Sequence, residues 1–176
     1  MRARSELKVL ITKEEIQAVI QKLALKIGQD YQNKPPVIIG VLKGSFIFLA
    51  DLIRQLDLPL EIDFIKLSSY GSGQKSSGKI KLTSDIVSEI VNRDVLVVED
   101  IVDTGLTTAF LLDYLKKKQP VSVKLCALAS KPSRRQVPIE INYLGFEVPD
   151  KFVVGYGLDC DEKYRHLPEI CFLEDN

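Results

Sequence analysis

The residues of this sequence that are best suited to chemistry directly follow one short apolar run. Residues 95–98 are four β-prone apolar residues, and they lead into Glu99, Asp100 and Asp103. Thr104-Gly105-Leu106-Thr107 comes next, and an amphipathic helical pattern begins immediately after it. A turn that opens a helix offers free N–H groups, hydroxyls and the positive end of the helix dipole to a phosphate. Carboxylates just upstream suit ribose hydroxyls or a magnesium-bound polyphosphate, so the segment predicts a site for a phosphorylated sugar.

A second candidate anion site follows another apolar run, residues 37–42. Lys43 brings positive charge, Gly44 permits close approach of a backbone, and Ser45 is predicted to cap the helix that follows. Taken alone, this segment is typical of an ordinary strand–helix joint with a solvated lysine. Beside the first segment it predicts a second anion cradle, because ligands of open α/β sheets bind where neighbouring strands end.

A third group of candidate residues lies later in the chain. Lys131 closes a predicted strand, Phe152 stands beside a glycine-containing apolar run, and Asp159 and Arg165 follow. Each has an ordinary structural explanation: a solvated strand end, a core aromatic side chain and a surface ion pair. At the carboxyl edge of one sheet, however, these residues would face the same cleft.

The elements that must position these residues alternate between strands and helices. Thr12 and Glu15 predict a capping box for a first helix, with Gly28 as its stop, and a second helix is predicted over residues 46–56. Strands are predicted over residues 37–42, 60–67, 79–82, 95–98, 121–129, 141–148, 153–156 and 170–173. This alternation predicts an α/β fold in which a mostly parallel twisted sheet is flanked by helices. The 176 residues are expected to form one domain, residues 1–176.

Composition excludes several classes of protein. Lysine and arginine together equal aspartate and glutamate at 24 each, so zero net charge argues against a nucleic-acid partner. No apolar run approaches the roughly 18 residues of a membrane span, and the first residues lack the apolar core of a signal peptide. The three cysteines are widely spaced without a CxxC pair. We therefore expect a cytoplasmic protein with no membrane partner.

Residues 68–77 are rich in serine and glycine. So flexible a stretch within a compact domain is either disordered filler or a mobile lid over a site.

Residues 95–107 resemble the 13-residue phosphoribosyl pyrophosphate motif of the type I phosphoribosyltransferases. Residues 42–45, 68–71, Lys131 and 145–156 extend the likeness, in order and spacing, to the hypoxanthine-guanine phosphoribosyltransferase family. The resemblance covers about residues 8 to 173. It implies the type I phosphoribosyltransferase fold, with a small hood formed by the N- and C-terminal segments and a mobile loop.

The resemblance also implies how phosphoribosyl pyrophosphate binds. Glu99 and Asp100 would bind the ribose hydroxyls, and Arg165 would contact the pyrophosphate. Leu42, Lys43 and Gly44 would also bind pyrophosphate, with a cis peptide bond between the first two. The residues that would cradle the 5′-phosphate are Thr104, Gly105, Leu106, Thr107 and Thr108.

On the purine side, the resemblance makes Asp103 the catalytic proton acceptor, placed against purine N7. Lys131 would donate to the O6 atom and so select 6-oxopurines over adenine. Phe152 would stack on the base, and the backbone of Val153 would bond to the ring edge.

The resemblance further implies Mg²⁺ as cofactor, held by Glu99, Asp100 and Asp159. Ser69 and Tyr70 would belong to a loop that closes over the site and excludes water. The implied reaction is transfer of a phosphoribosyl group from phosphoribosyl pyrophosphate to hypoxanthine or guanine. A homodimer or homotetramer is expected.

Two other interpretations remain open from the residues. One is a phosphoribosyltransferase-like regulator that binds the sugar phosphate as an effector and a nucleic acid as target. Asp103 and the zero net charge argue against it. The other is an enzyme of the same fold acting on adenine, orotate or uracil, against which Lys131 and residues 151–156 argue. Preference among hypoxanthine, guanine and xanthine is left open.

Overall fold

The described residues form two β-sheets, one of them covered by helices. The computed structural model describes residues 7–69 and 80–173. In chain order the strands are β1 (Leu7–Ile11), β2 (Val37–Leu42), β3 (Glu61–Ser69), β4 (Ile80–Ser84), β5 (Asp94–Val102), β6 (Ser122–Ser130), β7 (Tyr143–Glu147), β8 (Val153–Val154) and β9 (Ile170–Leu173). The larger sheet has the order β4-β3-β2-β5-β6-β7, and the smaller sheet has the order β1-β9-β8.

The larger sheet is parallel except at one edge. Strands β3, β2, β5, β6 and β7 pair in parallel, and only β4 pairs antiparallel, with β3. Central strand β5 is fully buried from Val95 to Val98, which explains its continuous apolar run. The prediction of a mostly parallel sheet is confirmed. The acidic residues Glu99 and Asp100, however, lie within β5 and not in the loop that follows it.

Three α-helices pack on this sheet: α1 (Lys13–Asp30), α2 (Phe46–Ile53) and α3 (Leu106–Lys116). The predicted capping box of α1 is confirmed, because the Thr12 N–H donates to Glu15 Oε2 (2.8 Å) and the Glu15 N–H donates to Thr12 Oγ1 (3.2 Å). Gly28 does not end α1 as predicted. The helix continues to Asp30, and its C-cap Tyr31 is buried in the core.

Helix α2 ends three residues earlier than predicted. Its last turn tightens, since the N–H groups of Gln55 and Leu56 donate to the carbonyls of Leu52 and Ile53 in an i to i+3 pattern. Ser45 does not cap α2. Its own backbone is helical, and its hydroxyl donates to the Val41 carbonyl (2.7 Å).

Each face of the sheet has its own core, because successive residues of a strand point to opposite faces. On one face, α1 and α2 pack against Ile38, Leu96 and Val98. On the other face, α3 packs through Leu111 and Leu115 against Val37, Ile39, Val95 and Val97. Residues of β5 therefore belong to both cores, and the strand that carries the acidic residues is held from both sides.

The smaller sheet joins the two ends of the described chain. β1 and β8 both pair antiparallel with β9, which confirms the hood predicted from the N- and C-terminal segments. Strand β8 is two residues long, shorter than the predicted 153–156, because Gly155 and Tyr156 adopt positive φ and turn the chain. Of the predicted loop, Ser68 and Ser69 belong to β3, and the rest lies outside the described residues. Within the described ranges, every helix is too short or too polar to span a membrane.

Candidate active site

The three candidate segments meet at one edge of the sheet because their strands are parallel neighbours. Gly40 of β2 is paired with Val98 of β5, and Val102 of β5 is paired with Ser130 of β6. The residues that follow these strands, Lys43, Asp103 and Lys131, therefore leave the sheet side by side. This edge is the carboxyl end of the parallel strands, where ligands of open α/β sheets bind.

The predicted phosphate turn has the geometry expected of an anion cradle. Gly105 is the N-cap of α3 with φ at +85°, in the left-handed region that glycine adopts readily. Ile139 and Arg135 pack so closely against it that an added Cβ would lie 2.9 Å from the first and 3.1 Å from the second. Above the turn lies a cleft of about 200 Å³, lined by Glu99, Ile101, Asp103, Thr104, Gly105, Thr107 and Thr108. The start of α3 thus borders an open cleft, and its first N–H, that of Leu106, donates to Thr104 Oγ1 (3.4 Å).

Glu99 and Thr108 form a buried pair behind this turn. Glu99 is 6% exposed and Thr108 is 3% exposed. Burial, reinforced by the neighbouring Asp100, raises the pKa of Glu99 well above its usual range, and a hydrogen bond with the Thr108 side chain opposes the shift. The Thr108 side chain thus contacts Glu99, and residue 108 also lines the cleft.

Asp100 packs directly against Gly44. A Cβ added at Gly44 would lie 1.6 Å from Asp100 Oδ2, so the space beside this glycine is filled by the carboxylate. Burial raises the pKa of Asp100 to about 6, with Arg165 acting against the shift and Asp159 adding to it. The peptide bond between Leu42 and Lys43 is cis, as the resemblance implied.

The segment that follows β8 packs against the loop that contains Lys43 and Gly44. A Cβ added at Gly157, where φ is +100°, would lie 2.1 Å from the Gly44 carbonyl oxygen. Arg165 donates from Nη1 to the Gly157 carbonyl (2.8 Å) and pairs with Asp159 (2.8 Å). At Gly44 and Gly157 the two segments therefore approach so closely through their backbones that a side chain at residue 157 would not fit.

Glu162 connects the cations of this region and was not predicted as a site residue. It pairs with Lys43 (2.9 Å) and with Arg165 (3.3 Å). Both proposed pyrophosphate-binding cations are therefore held by carboxylates. No motif in the sequence marks Glu162, because its role depends on a contact with a residue 119 positions away.

Lys131, Phe152 and Val153 are the residues that the resemblance places against a purine, and they differ in exposure. Lys131 is 7% exposed, and its backbone N–H donates to the Val102 carbonyl (3.0 Å). Burial lowers the pKa of the Lys131 ammonium, and the negative charge of Asp103 opposes this shift. Lys131 is thus not the solvated strand end that its position alone suggests. Phe152 is 55% exposed, which excludes a core role, and Val153 is buried in β8.

Asp103 forms an ion pair that sequence reasoning missed. Its Oδ1 lies 2.9 Å from Arg134 Nε, and Arg134 Nη1 lies 3.3 Å from Asp150 Oδ1. Arg134 belongs to a 3-10 turn, Pro132–Arg134, immediately after Lys131. The signal available in the sequence was its position three residues after Lys131, which brings its side chain back to the same cleft.

The structure thus brings together the predicted residues of β5, the phosphate turn, the Lys43 loop, Lys131 and the hood. Ser69 is the last residue of β3, and nothing is described of its side chain. Tyr70 lies outside the described residues.

The donor set fits magnesium. The described residues contain no cluster of three or more His, Cys, Asp or Glu side chains arranged around one point. Mg²⁺ does not need one, because it binds through one or two carboxylates and completes its shell with water and substrate phosphates. Asp100 and Asp159 repel each other electrostatically, and a divalent cation near them would relieve that repulsion.

This combination of fold and site defines a class. A phosphoribosyl transferase domain model matches residues 10–161, a range that contains the phosphate turn, the Lys43 loop, Lys131 and Phe152. The chain is therefore built on a phosphoribosyltransferase domain.

Comparison with individual relatives identifies the family within this class. A crystal structure of a hypoxanthine phosphoribosyltransferase from Staphylococcus aureus matches with a TM-score of 0.92 at 44% identity, covering 97% of this chain and 93% of that one. The hypoxanthine-guanine phosphoribosyltransferase of Bacillus subtilis is 46% identical over 167 residues, which are 95% of this chain and 93% of that protein. The chain belongs to the hypoxanthine-guanine phosphoribosyltransferase family. It also matches the bifunctional protein TilS/HprT of Listeria monocytogenes at 47% identity, but spans only 26% of that protein's length.

Proposed function

We propose that this chain transfers the 5-phosphoribosyl group of phosphoribosyl pyrophosphate to N9 of a 6-oxopurine, hypoxanthine or guanine. The products are IMP or GMP and pyrophosphate, so the reaction salvages free purine bases. The observation that carries the proposal is the arrangement of Asp103 and Lys131 after paired strands, directly beside the phosphate turn. A proton acceptor and an anion cradle then line one cleft, and a hydrogen-bond donor follows the neighbouring strand.

The sugar phosphate is held by β5 and the turn after it. The 5′-phosphate lies on the backbone N–H groups of residues 104–108, because the first turn of a helix leaves its N–H groups without partners inside the helix. The long hydrogen bond from the Leu106 N–H to Thr104 Oγ1 (3.4 Å) is given up when the phosphate binds. Glu99 and Asp100 bind the ribose hydroxyls. Lys43, Gly44 and Arg165 bind the pyrophosphate, so the contacts that Lys43 and Arg165 make with Glu162 are exchanged for contacts with phosphate oxygens.

The purine lies between Lys131 and Phe152. The Lys131 ammonium donates to the O6 atom, and adenine is rejected because its amino group at that position offers a donor where an acceptor is needed. The exposed Phe152 ring stacks on the base, and the Val153 backbone bonds to the ring edge. Neither contact separates hypoxanthine from guanine, which differ at C2.

The chemical step forms the bond between ribose C1 and purine N9 while the bond from C1 to pyrophosphate breaks. Positive charge develops on the sugar, and the carboxylates of Asp100 and Asp103 stabilise it. Asp103 accepts the proton that the purine loses at N7. The loop that contains Ser69 and Tyr70 excludes water, which would otherwise capture the sugar.

The reaction depends on Mg²⁺, with Asp100 and Asp159, and Glu99 beside them, as the residues that would hold it. When bound, the cation neutralises the charge on the pyrophosphate as it leaves. Arg165 and Lys43 contribute further positive charge at the same end of the cleft.

We also propose that the protein forms a homodimer or homotetramer and acts in the cytoplasm. Phe46 of α2 and Phe64 of β3 are 44% and 40% exposed, and their elements meet over Gly40, whose added Cβ would touch both Leu49 and Phe64. Large exposed apolar side chains favour an interface between copies of a chain. The free thiols of Cys126 and Cys160 suit a reducing compartment. Light scattering during gel filtration tests the oligomer, and a monomer would contradict it.

One assay tests the proposed activity. Phosphoribosyl pyrophosphate and Mg²⁺ are incubated with hypoxanthine, guanine, xanthine or adenine in separate reactions, and nucleotide formation is followed. We expect turnover of hypoxanthine or guanine and none of adenine. If phosphoribosyl pyrophosphate binds but no base is turned over, a regulatory protein becomes the better interpretation.

A further inference from the structure

Arg134 bridges two carboxylates that belong to different halves of the cleft. Its Nε lies 2.9 Å from Oδ1 of Asp103, beside the phosphate turn, and its Nη1 lies 3.3 Å from Oδ1 of Asp150, two residues before Phe152. Arginine suits this role because its rigid planar head presents separate N–H groups in fixed directions, whereas lysine offers a single point of charge.

The bridge holds one oxygen of Asp103 and not the other. Oδ1 of Asp103 is buried and has no hydrogen-bond partner among the described residues, so its contact with Arg134 Nε is an ion pair; the side chain as a whole is 41% exposed. A positive charge beside one oxygen draws that oxygen toward it and leaves the second oxygen of the carboxylate for a ligand. For a proton acceptor the direction of this second oxygen matters, because transfer requires hydrogen-bond distance and alignment.

We propose that Arg134 is a positioning residue for the catalytic carboxylate Asp103. By holding Oδ1 and anchoring on Asp150, it aims Oδ2 of Asp103 at the purine and ties the segment before Phe152 to the phosphate turn. This role rests on the proposed function, because it gives Asp103 its task as proton acceptor.

The bridge is a poor candidate for a purely structural role. The side chains of Arg134, Asp103 and Asp150 are 47%, 41% and 56% exposed, and exposed ion pairs contribute little to stability. Replacing Arg134 therefore leaves the fold intact, so a change in activity reports on the position of Asp103.

The test compares Arg134→Met and Arg134→Lys with the wild-type chain in single-turnover reactions with hypoxanthine. We expect Arg134→Met to slow nucleotide formation about tenfold, because misplaced reacting groups lose rate steeply. The affinity for phosphoribosyl pyrophosphate stays within about twofold. Arg134→Lys keeps a positive charge beside Asp103 but cannot contact Asp150 in the same way, so it recovers only part of the rate. Arg93→Met is the matched control, since it breaks the similarly exposed ion pair with Glu61 before β5, at the opposite end of the sheet.

A double variant tests whether Arg134 affects the rate through Asp103 or independently of it. In an Asp103→Asn background the carboxylate is gone, so Arg134→Met should cost no further rate. An equal fractional loss in both backgrounds, or an Arg134→Met variant as fast as the wild type, would overturn the inference while leaving the proposed function in place. A wild-type chain that turns over no purine would instead remove the proposed function itself.

Discussion

The carboxylate of Asp100 occupies the volume where a side chain at residue 44 would lie. The distance from Asp100 Oδ2 to an ideal Cβ on Gly44 is 1.6 Å, far below any real contact. The loop after β2 and the end of β5 thus interlock because one of them carries no side chain. Glycine at position 44 is required by its neighbour and not by its own backbone conformation.

This contact predicts the effect of Gly44→Ala. The added methyl group must displace the Asp100 carboxylate and disturb the hydrogen bond that its Oδ1 accepts from the Ile101 N–H (2.9 Å), so the melting temperature also falls. Binding of phosphoribosyl pyrophosphate with Mg²⁺ is expected to weaken about tenfold or more, since a displaced ligand loses the geometry that the metal and substrate require. Isothermal titration measures it.

Gly28→Ala is the matched control for Gly44→Ala. Nothing lies within 4 Å of a Cβ at Gly28, which is inside α1. Alanine should therefore stabilise the helix by about 0.5–1 kcal/mol and leave substrate affinity unchanged. Equal affinities for the two variants would contradict the role given to the Gly44 contact.

Replacing Asp103 by asparagine tests the proton acceptor. The substitution keeps the size of the side chain but removes its charge and its basicity. Turnover with hypoxanthine is expected to fall by roughly 100-fold or more, while phosphoribosyl pyrophosphate binds as before. Near-normal turnover with unchanged binding would show that the purine proton leaves by another route.

Lys131→Met tests the choice of base. Methionine fills much of the buried volume of Lys131 but offers no donor to O6. The ratio of kcat/KM for hypoxanthine to that for adenine is expected to fall at least about tenfold, because discrimination depends on a buried polar contact. Lys26→Met is the control, since that ammonium lies over the Tyr143 ring at the start of β7, away from the cleft. Unchanged discrimination in Lys131→Met would refute this account of base recognition.

The shifted pKa of Asp100 predicts a pH-dependent stability. Burial raises the pKa to about 6 in the folded protein, against about 3.9 in an unfolded chain. Between these values the folded state binds more protons, so this group lowers the free energy of unfolding as pH rises from about 4 to about 6. Asp100→Asn removes the effect, and its melting temperature relative to wild type should rise between those pH values in the absence of Mg²⁺ and substrate. The same difference in melting temperature at both ends of the window would contradict the shift.

Much of the site could be predicted because its chemistry is local in the sequence. The phosphate turn needs only residues 99–108, and their order, a buried strand followed by carboxylates and a glycine-containing turn, indicates both structure and ligand. The capping box of α1 is equally local, since Thr12 and Glu15 satisfy each other within one turn.

What could not be predicted depends on contacts between distant residues. Glu162 forms an ion pair with Lys43, which is 119 residues away in the sequence. Arg134 forms an ion pair with Asp103, which is 31 residues away. Local patterns also misplaced several ends of elements: Gly28 was a plausible helix stop, but the burial of Tyr31 extends α1 past it. In each case the local sequence is compatible with more than one structure, and packing against distant residues selects one of them.

The pairing of β1, β9 and β8 has a consequence for the order of folding. The segment that carries Phe152 and Val153 is anchored on β9, which is itself anchored on β1, so this part of the cleft requires the two far ends of the described chain to meet. Closing so long a loop has a high entropic cost, whereas strand β5, its turn and α3 form from contiguous residues. The phosphate half of the cleft is therefore expected to gain protection from hydrogen exchange earlier during refolding than the purine half. Simultaneous protection would mean that the hood and the sheet fold as one unit.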